Sequence, residues 1–198
     1  MKDFTKAFDV LLNKIKNKEN FAFSRFSDGE LFIMQNKKLV LADNYYITGD
    51  IKGSNRYTEE EHKEYIPERD QAYREKLLQT FMHNQNNYYK GICTSTDGHV
   101  GKENFDWMIN LHGGDHENLT FANLLINANY HRFVEEMVPL FNNRKIIYVV
   151  NKLANIDNLP FEVSKVFKIG SNCMIDNYNT TWEVAKHISD NNIKDNIV

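Results

Sequence analysis

Residues 145–150 read KIIYVV. A strand with one face in water alternates apolar and polar side chains. This one runs almost unbroken in β-branched residues, as expected of a parallel strand covered on both faces. That single stretch restricts the chain to an α/β architecture, because helices must supply the two covers. Residues 21–26, FAFSRF, read as a second strand by alternation. Residues 88–95, YYKGICTS, are apolar and β-prone, a further central-strand candidate, and residues 163–169, VSKVFKI, read as another. Residues 21–26 and 145–150 are expected to be central, parallel strands of one sheet.

Helical periodicity fills the intervals. In residues 3–18, Phe4, Phe8, Leu11, Leu12 and Ile15 recur at steps of three and four. Residues 58–84 read as helical, with Thr58 and Glu61 as a cap and Pro67 as an interruption; residues 101–111 read as another helix. Residues 130–141 form a further helix with Phe133, Val134, Met137, Val138 and Phe141 inward. Residues 180–188 form the last, capped by Thr180, with Trp182, Val184, Ala185 and Ile188 toward the core. Residues 35–56 are mixed: 39–41 suit a short strand, and Gly49 and Gly53 mark turns. Residues 118–127 fit a strand or a helix start. The order predicts a single domain over residues 1–198 with a mostly parallel central sheet flanked by helices. Residues 196–198 look like the opening of one more strand, and a strand needs about five residues. The chain is therefore expected to lack a C-terminal strand, as a fragment or a natural truncation.

Composition narrows the function classes. The 198 residues are 41% hydrophobic and 13% aromatic, enough for a real core. Net charge is −3 and there is no long basic block, so binding to nucleic-acid phosphates is not favoured. Cys93 and Cys173 show neither CxxC nor zinc spacing and read as free thiols of a reducing compartment. The N-terminus lacks the apolar core of a secretory signal, and no apolar run approaches a membrane span. The expectation is a soluble, cytoplasmic protein.

The chemistry concentrates where the strand at residues 21–26 ends. Ser27, Asp28 and Gly29 make a tight turn, and Glu30 opens the apolar run Leu31, Phe32, Ile33, Met34. Asp28 and Glu30 thus sit at the carboxyl end of a strand, where α/β folds bind ligands. Carboxylates so placed suit a hard divalent cation. Ser27 and Glu30 also have the spacing of a capping box at a helix start. Both readings stand, and they are compatible, since only one carboxylate need face a metal. Arg25 offers a planar fork to phosphate oxygens, or a salt bridge to Asp28 or Glu30 that fixes the turn. Asn151 and Lys152, and Ser171 and Asn172, follow predicted strands and are candidates for phosphate or ribose contact by position. His99 near Asp97 is a candidate general base, with a polar loop histidine as the alternative. His112 and His116 with Asp115 have metal-like spacing, but Gly113 and Gly114 between them favour a solvated loop.

The hexapeptide Arg25-Phe26-Ser27-Asp28-Gly29-Glu30 closely resembles the RFGDGE signature of GT-D-type glycosyltransferases. The order of elements through residues 130–188 resembles that family more loosely. The resemblance implies a Rossmann-like fold and transfer of a hexose from a nucleotide-sugar donor, a UDP-sugar above all, to a glycan or glycoprotein acceptor. It implies Mn²⁺ or Mg²⁺ held by the DxE pair Asp28 and Glu30, which are also the catalytic residues. It implies nucleotide-sugar contacts from Arg25, Phe26, Ser27 and Gly29. Ser27 stands where the family motif usually has glycine, which bears on the turn and on how closely a phosphate can approach. The alternative is a binding module of the same fold, for nucleotide or glycan, without catalysis.

Overall fold

The computed structural model describes residues 3–96, 98, 100–114, 116–194 and 196–198. In chain order the elements are α1 (Phe4–Lys16), β1 (Ala22–Phe26), α2 (Asp28–Met34), β2 (Leu39–Ala42), β3 (Tyr45–Thr48), β4 (Ile51–Gly53), β5 (Lys63–Tyr65), α3 (Pro67–Met82), β6 (Tyr88–Ile92), α4 (Gly101–His112) and β7 (Leu119–Phe121). There follow α5 (Tyr130–Arg132), β8 (Lys145–Asn151), β9 (Lys165–Ile169), α6 (Cys173–Asp176), α7 (Thr180–Asp190) and β10 (Asn196–Ile197). They gather into two compact units. The first holds residues 1–37 and 67–136, the second residues 38–66 and 137–198.

In the first unit β1, β6 and β7 form a parallel sheet with β6 in the middle. Every residue of β6 is buried. Helix α1 turns Ala7, Phe8, Leu11 and Leu12 inward, and its Phe4 stacks on Phe121 at the end of β7, 4.1 Å between ring centres. Another cluster joins Phe26, Leu31, Met34, Phe81, Ile92, Met108 and Leu119 from β1, α2, α3, β6, α4 and β7. Phe26 meets Phe81 edge-on at 4.9 Å. Burying side chains of this size stabilises by about 1.5–3 kcal/mol each.

In the second unit β8 lies between β10 and β9, parallel to both. The run KIIYVV is therefore a central parallel strand, with Ile146 and Ile147 buried. A separate antiparallel sheet runs in the order β4, β3, β2, β5.

A mixed α/β fold with parallel sheets flanked by helices thus stands, and the single central sheet does not. Among the described residues there are three small sheets, in which β1 pairs with β6 alone and lies at a sheet edge, in a different sheet from β8. Between them the segment from β2 to β5 forms its own antiparallel sheet, with two-residue connections from β2 to β3 and from β3 to β4. Gly49 follows β3 at φ +62°, a left-handed conformation that hairpin turns require.

Three further readings change. Pro67 opens α3 and does not interrupt it, as proline's fixed φ suits a first helical position; residues 59–65 are a 3₁₀ turn and β5. The segment read as one helix over residues 130–141 is α5 followed by a π turn, Phe133–Met137, and a 3₁₀ turn, Val138–Phe141. Pro139 lies within it and cannot donate the hydrogen bond a continuous helix needs. On α7 Val184 is buried, but Trp182 is 67% exposed and Ala185 is exposed. Trp182 sits two residues from Val184, about 200° around the helix, and so faces away. No helix among the described residues is long and apolar enough to cross a membrane.

Candidate functional site

β1 delivers Arg25 and Phe26 to the carboxyl end of the first parallel sheet, and α2 starts there at once. Ser27 is the N-cap at φ −92° and ψ −163°, extended backbone that any residue adopts. Serine in the family's glycine position therefore introduces no backbone strain. Ser27 and Glu30 form a capping box, whose well-formed half is the bond from the Ser27 N–H to Glu30 Oε2 at 2.8 Å. Asp28 Oδ1 accepts from the Gly29 N–H at 2.9 Å. Each carboxylate thus keeps one oxygen, Asp28 Oδ2 and Glu30 Oε1, with no hydrogen bond among the described residues. Asp28 is exposed and Glu30 partly so.

Arg25 does not pair with either acid among the described residues. Its Nε donates to the Ala122 carbonyl at 2.8 Å, just beyond β7. In register Arg25 lies beside Gly91, and Gly91 beside Thr120. Glycine at 91 leaves room: a Cβ there would lie 2.7 Å from the Phe121 carbonyl oxygen. One edge of the exposed guanidinium is thus anchored, and its Nη atoms have no partner among the described residues. Phe26, assigned to nucleotide contact by the resemblance, is 2% exposed and belongs to the core. Its side chain packs against Phe81 and offers no surface to a ligand.

In the second unit the ends of β8 and β9 bring Asn151, Lys152, Ser171 and Asn172 together. Asn151 Nδ2 donates to Ser171 Oγ at 3.2 Å, and Ser171 Oγ donates to the Glu59 carbonyl at 3.1 Å. Asn151 Oδ1 accepts from Leu153 N–H, and Asn172 Oδ1 accepts from Glu64 N–H. These amides and the hydroxyl tie loops together. The Lys152 ammonium, 4.0 Å from Glu59 Oε1 and largely exposed, is the most available group of the four.

Asp97, His99 and Asp115 lie outside the described residues, so the general-base reading of His99 and the Asp115 part of the histidine cluster fall there too. His112 itself is not in a solvated loop. It is the last residue of α4 and 4% exposed. Among the described residues no three His, Cys, Asp or Glu side chains are grouped for a metal ion.

Sequence reasoning passed over Lys90. It sits in the middle of β6, 1% exposed. Its ammonium donates to Asn84 Oδ1 at 3.0 Å and lies over the rings of Tyr88 and Phe81, 5.2 and 5.8 Å from their centres. Burial draws its pKa down to about 8. Burial, with the charge of Lys90 and then of His116, draws His112 down to about 4, so His112 is neutral near pH 7. The available signal was a lysine inside an apolar strand, which needs a partner to be buried. Compared with protein-family models, curated proteins and solved structures, the chain finds no match.

Proposed function

We propose that the chain is a metal-dependent glycosyltransferase on a mixed α/β scaffold. It would move a hexose from a nucleotide sugar, a UDP-sugar in the first instance, to a glycan or glycoprotein acceptor. The observation that carries this reading is the strand-turn-helix at Arg25 to Glu30. A fork anchored on one edge by Ala122 and two carboxylates with free oxygens sit at the carboxyl end of parallel strands, the usual ligand end of such sheets.

The donor set fits a hard cation. Mg²⁺ is commonly held by one or two carboxylates plus substrate phosphates, keeping several waters, and Asp28 Oδ2 and Glu30 Oε1 supply two such oxygens. When bound, the cation would offset negative charge on the departing nucleoside diphosphate as a Lewis acid. Arg25 contributes two N–H directions toward phosphate oxygens, already oriented by the Ala122 bond. Ser27 and Gly29 contribute backbone at the turn. Asn151, Lys152, Ser171 and Asn172 belong to the second unit, and the proposal rests on the first unit alone.

Glu30 Oε2 is committed to the capping box, which leaves one Glu30 oxygen for a cation; the alternative is a nucleotide- or glycan-binding module without catalysis. Calorimetry with UDP, in Mn²⁺ and in chelator, separates the cases when run on wild type, Asp28→Asn and Glu30→Gln. The metal reading expects UDP affinity to rise with Mn²⁺ and that gain to vanish in both variants. A glutamine still accepts from the Ser27 N–H, so stability should stay within about 0.5 kcal/mol. Metal-dependent UDP binding without turnover of any UDP-hexose supports the binding module. Equal UDP affinity with and without metal in all three proteins removes the metal-dependent proposal.

A further inference from the structure

A cavity of about 590 Å³ opens in the first unit, lined by Asn84, Gln85, Asn86, Tyr89, His112, His116, Glu117 and Asn118. Asn84, Gln85 and Asn86 precede β6, and His116, Glu117 and Asn118 precede β7. The cavity therefore lies toward the amino ends of these parallel strands, away from the Arg25 to Glu30 turn at their carboxyl ends.

The buried Lys90 ammonium does not line the cavity itself and is linked to its wall through Asn84. Among the described residues its one hydrogen bond goes to a neutral amide, Asn84 Oδ1 at 3.0 Å, and no carboxylate pairs with it. A buried charge without a counter-charge is costly, and the two aromatic faces beside it compensate only in part. The second independent feature is His112. It lines the cavity, is 4% exposed, and neither ring nitrogen has a hydrogen-bond partner among the described residues. His116 packs edge-on against it, 4.8 Å between ring centres. Amides of Asn84, Gln85, Asn86 and Asn118 fill out the wall. The Glu117 carboxylate also lines the cavity, but Glu117 is exposed. Water and salt screen an exposed charge far more than a buried one.

We propose that this cavity binds a small oxyanion, a phosphate or a carboxylate group, with Lys90 as its buried counter-charge and the imidazoles of His112 and His116 as hydrogen-bond donors. Asn84 links the two parts: its Oδ1 holds Lys90, leaving its Nδ2 hydrogens for the ligand. This site is independent of the glycosyltransferase proposal and stands or falls without it.

The test uses sodium phosphate and sodium acetate as probes, against sodium chloride at matched ionic strength. Binding is followed by NMR of the Asn84 and Asn118 side-chain amides and the His112 ring. Saturable shifts with a Kd on the order of 1 mM are expected, together with a rise of the His112 pKa from about 4, because a bound anion favours the imidazolium. Among the described residues, the other charged and titratable groups facing His112 are Lys90, His116 and Glu117. Saturation by phosphate alone identifies a phosphate site, and saturation by acetate alone a carboxylate site. Lys90→Met should weaken binding about tenfold or more. Glu117→Gln, an exposed change that leaves the fold alone, should tighten it by removing a like charge. Shifts no larger than those in chloride would overturn the proposal. So would saturable binding that Glu117→Gln leaves unchanged and that Lys90→Met, if folded, also leaves unchanged.

Discussion

Gly91→Ala is the sharpest probe of how the first unit holds Arg25. A Cβ at residue 91 would lie 2.7 Å from the Phe121 carbonyl oxygen, 2.9 Å from its carbonyl carbon and 3.0 Å from Ala122 Cα. All three are backbone atoms, so no side chain can swing away. β7 must move off β6, against a tight bond from Ala122 N–H to the Ile92 carbonyl at 2.7 Å. Overpacking of this kind costs about 1–3 kcal/mol, and one weakened buried hydrogen bond adds about 1 kcal/mol. The sum, about 2–4 kcal/mol, corresponds to a fall in Tm of roughly 5–15 °C for a chain of this length. Urea unfolding followed by tryptophan emission reads the first unit selectively. Trp107 packs against its core, whereas Trp182 is already 67% exposed and changes little. Gly98→Ala is the control, since a Cβ there meets nothing within 4 Å, and it should stay within about 0.5 kcal/mol of wild type. A Gly91→Ala protein as stable as the control would refute the close approach of β7 to β6.

Other outcomes follow from the same geometry. Lys90 has a folded pKa of about 8, below the usual lysine value, so between about pH 8 and 10.5 the unfolded chain binds more protons. Stability should therefore rise with pH across that window in wild type relative to Lys90→Met, by a few kcal/mol at most; parallel urea midpoints would contradict the burial of Lys90. His112 is held down to about 4, so wild type should lose stability as pH falls from 6.5 through 4, and His112→Leu should lose less over that range. Phe26→Ala should cost about 3–5 kcal/mol by leaving a cavity, while Phe26→Leu should keep UDP binding within about twofold of wild type, because Phe26 faces the core. A large loss of UDP affinity in folded Phe26→Leu would return Phe26 to the ligand.

What could be read from the sequence depended on how long each pattern ran. The unbroken KIIYVV marks β8 as central, and YYKGI marks β6, because burial on both faces leaves little room for polar side chains. The helical face of Phe8, Leu11 and Leu12 is equally plain. The antiparallel sheet was hidden because β2, β3, β4 and β5 are only three or four residues long, too short to establish a period of two. Its best trace was Gly49-Asp50, a two-residue hairpin connection between β3 and β4. At the turn after β1 the spacing of Ser27 and Glu30 announced the capping box, while the free direction of Arg25 did not show: its anchor, Ala122, is 97 residues away in the chain. Lys90 and His112 were obscured for a related reason. Lys90 went unremarked inside an apolar strand and His112 looked like part of a solvated loop with two glycines; only their burial gives them meaning.

The division of the chain between its two units has a consequence for how the protein is made and taken apart. The chain leaves the first unit after Lys37, returns at Pro67, and leaves again after Glu136. On a ribosome, β1 must wait for β6 and then β7 to emerge, while the segment carrying β2 to β5 is already complete and waits longer for β8 and β9. Ser171 and Asn172, which bond Glu59 and the Glu64 N–H, emerge 112 and 108 residues after those partners. No single cut can separate the two units cleanly. A break between Glu136 and Met137 would leave the antiparallel sheet on the N-terminal fragment, separated from the strands it belongs with, and recovery of a native second unit would require the two fragments to reassociate. Closing the 29-residue excursion from Lys38 to Ile66 costs only logarithmically in its length, so such interleaving is thermodynamically tolerable and its burden falls on the order of folding.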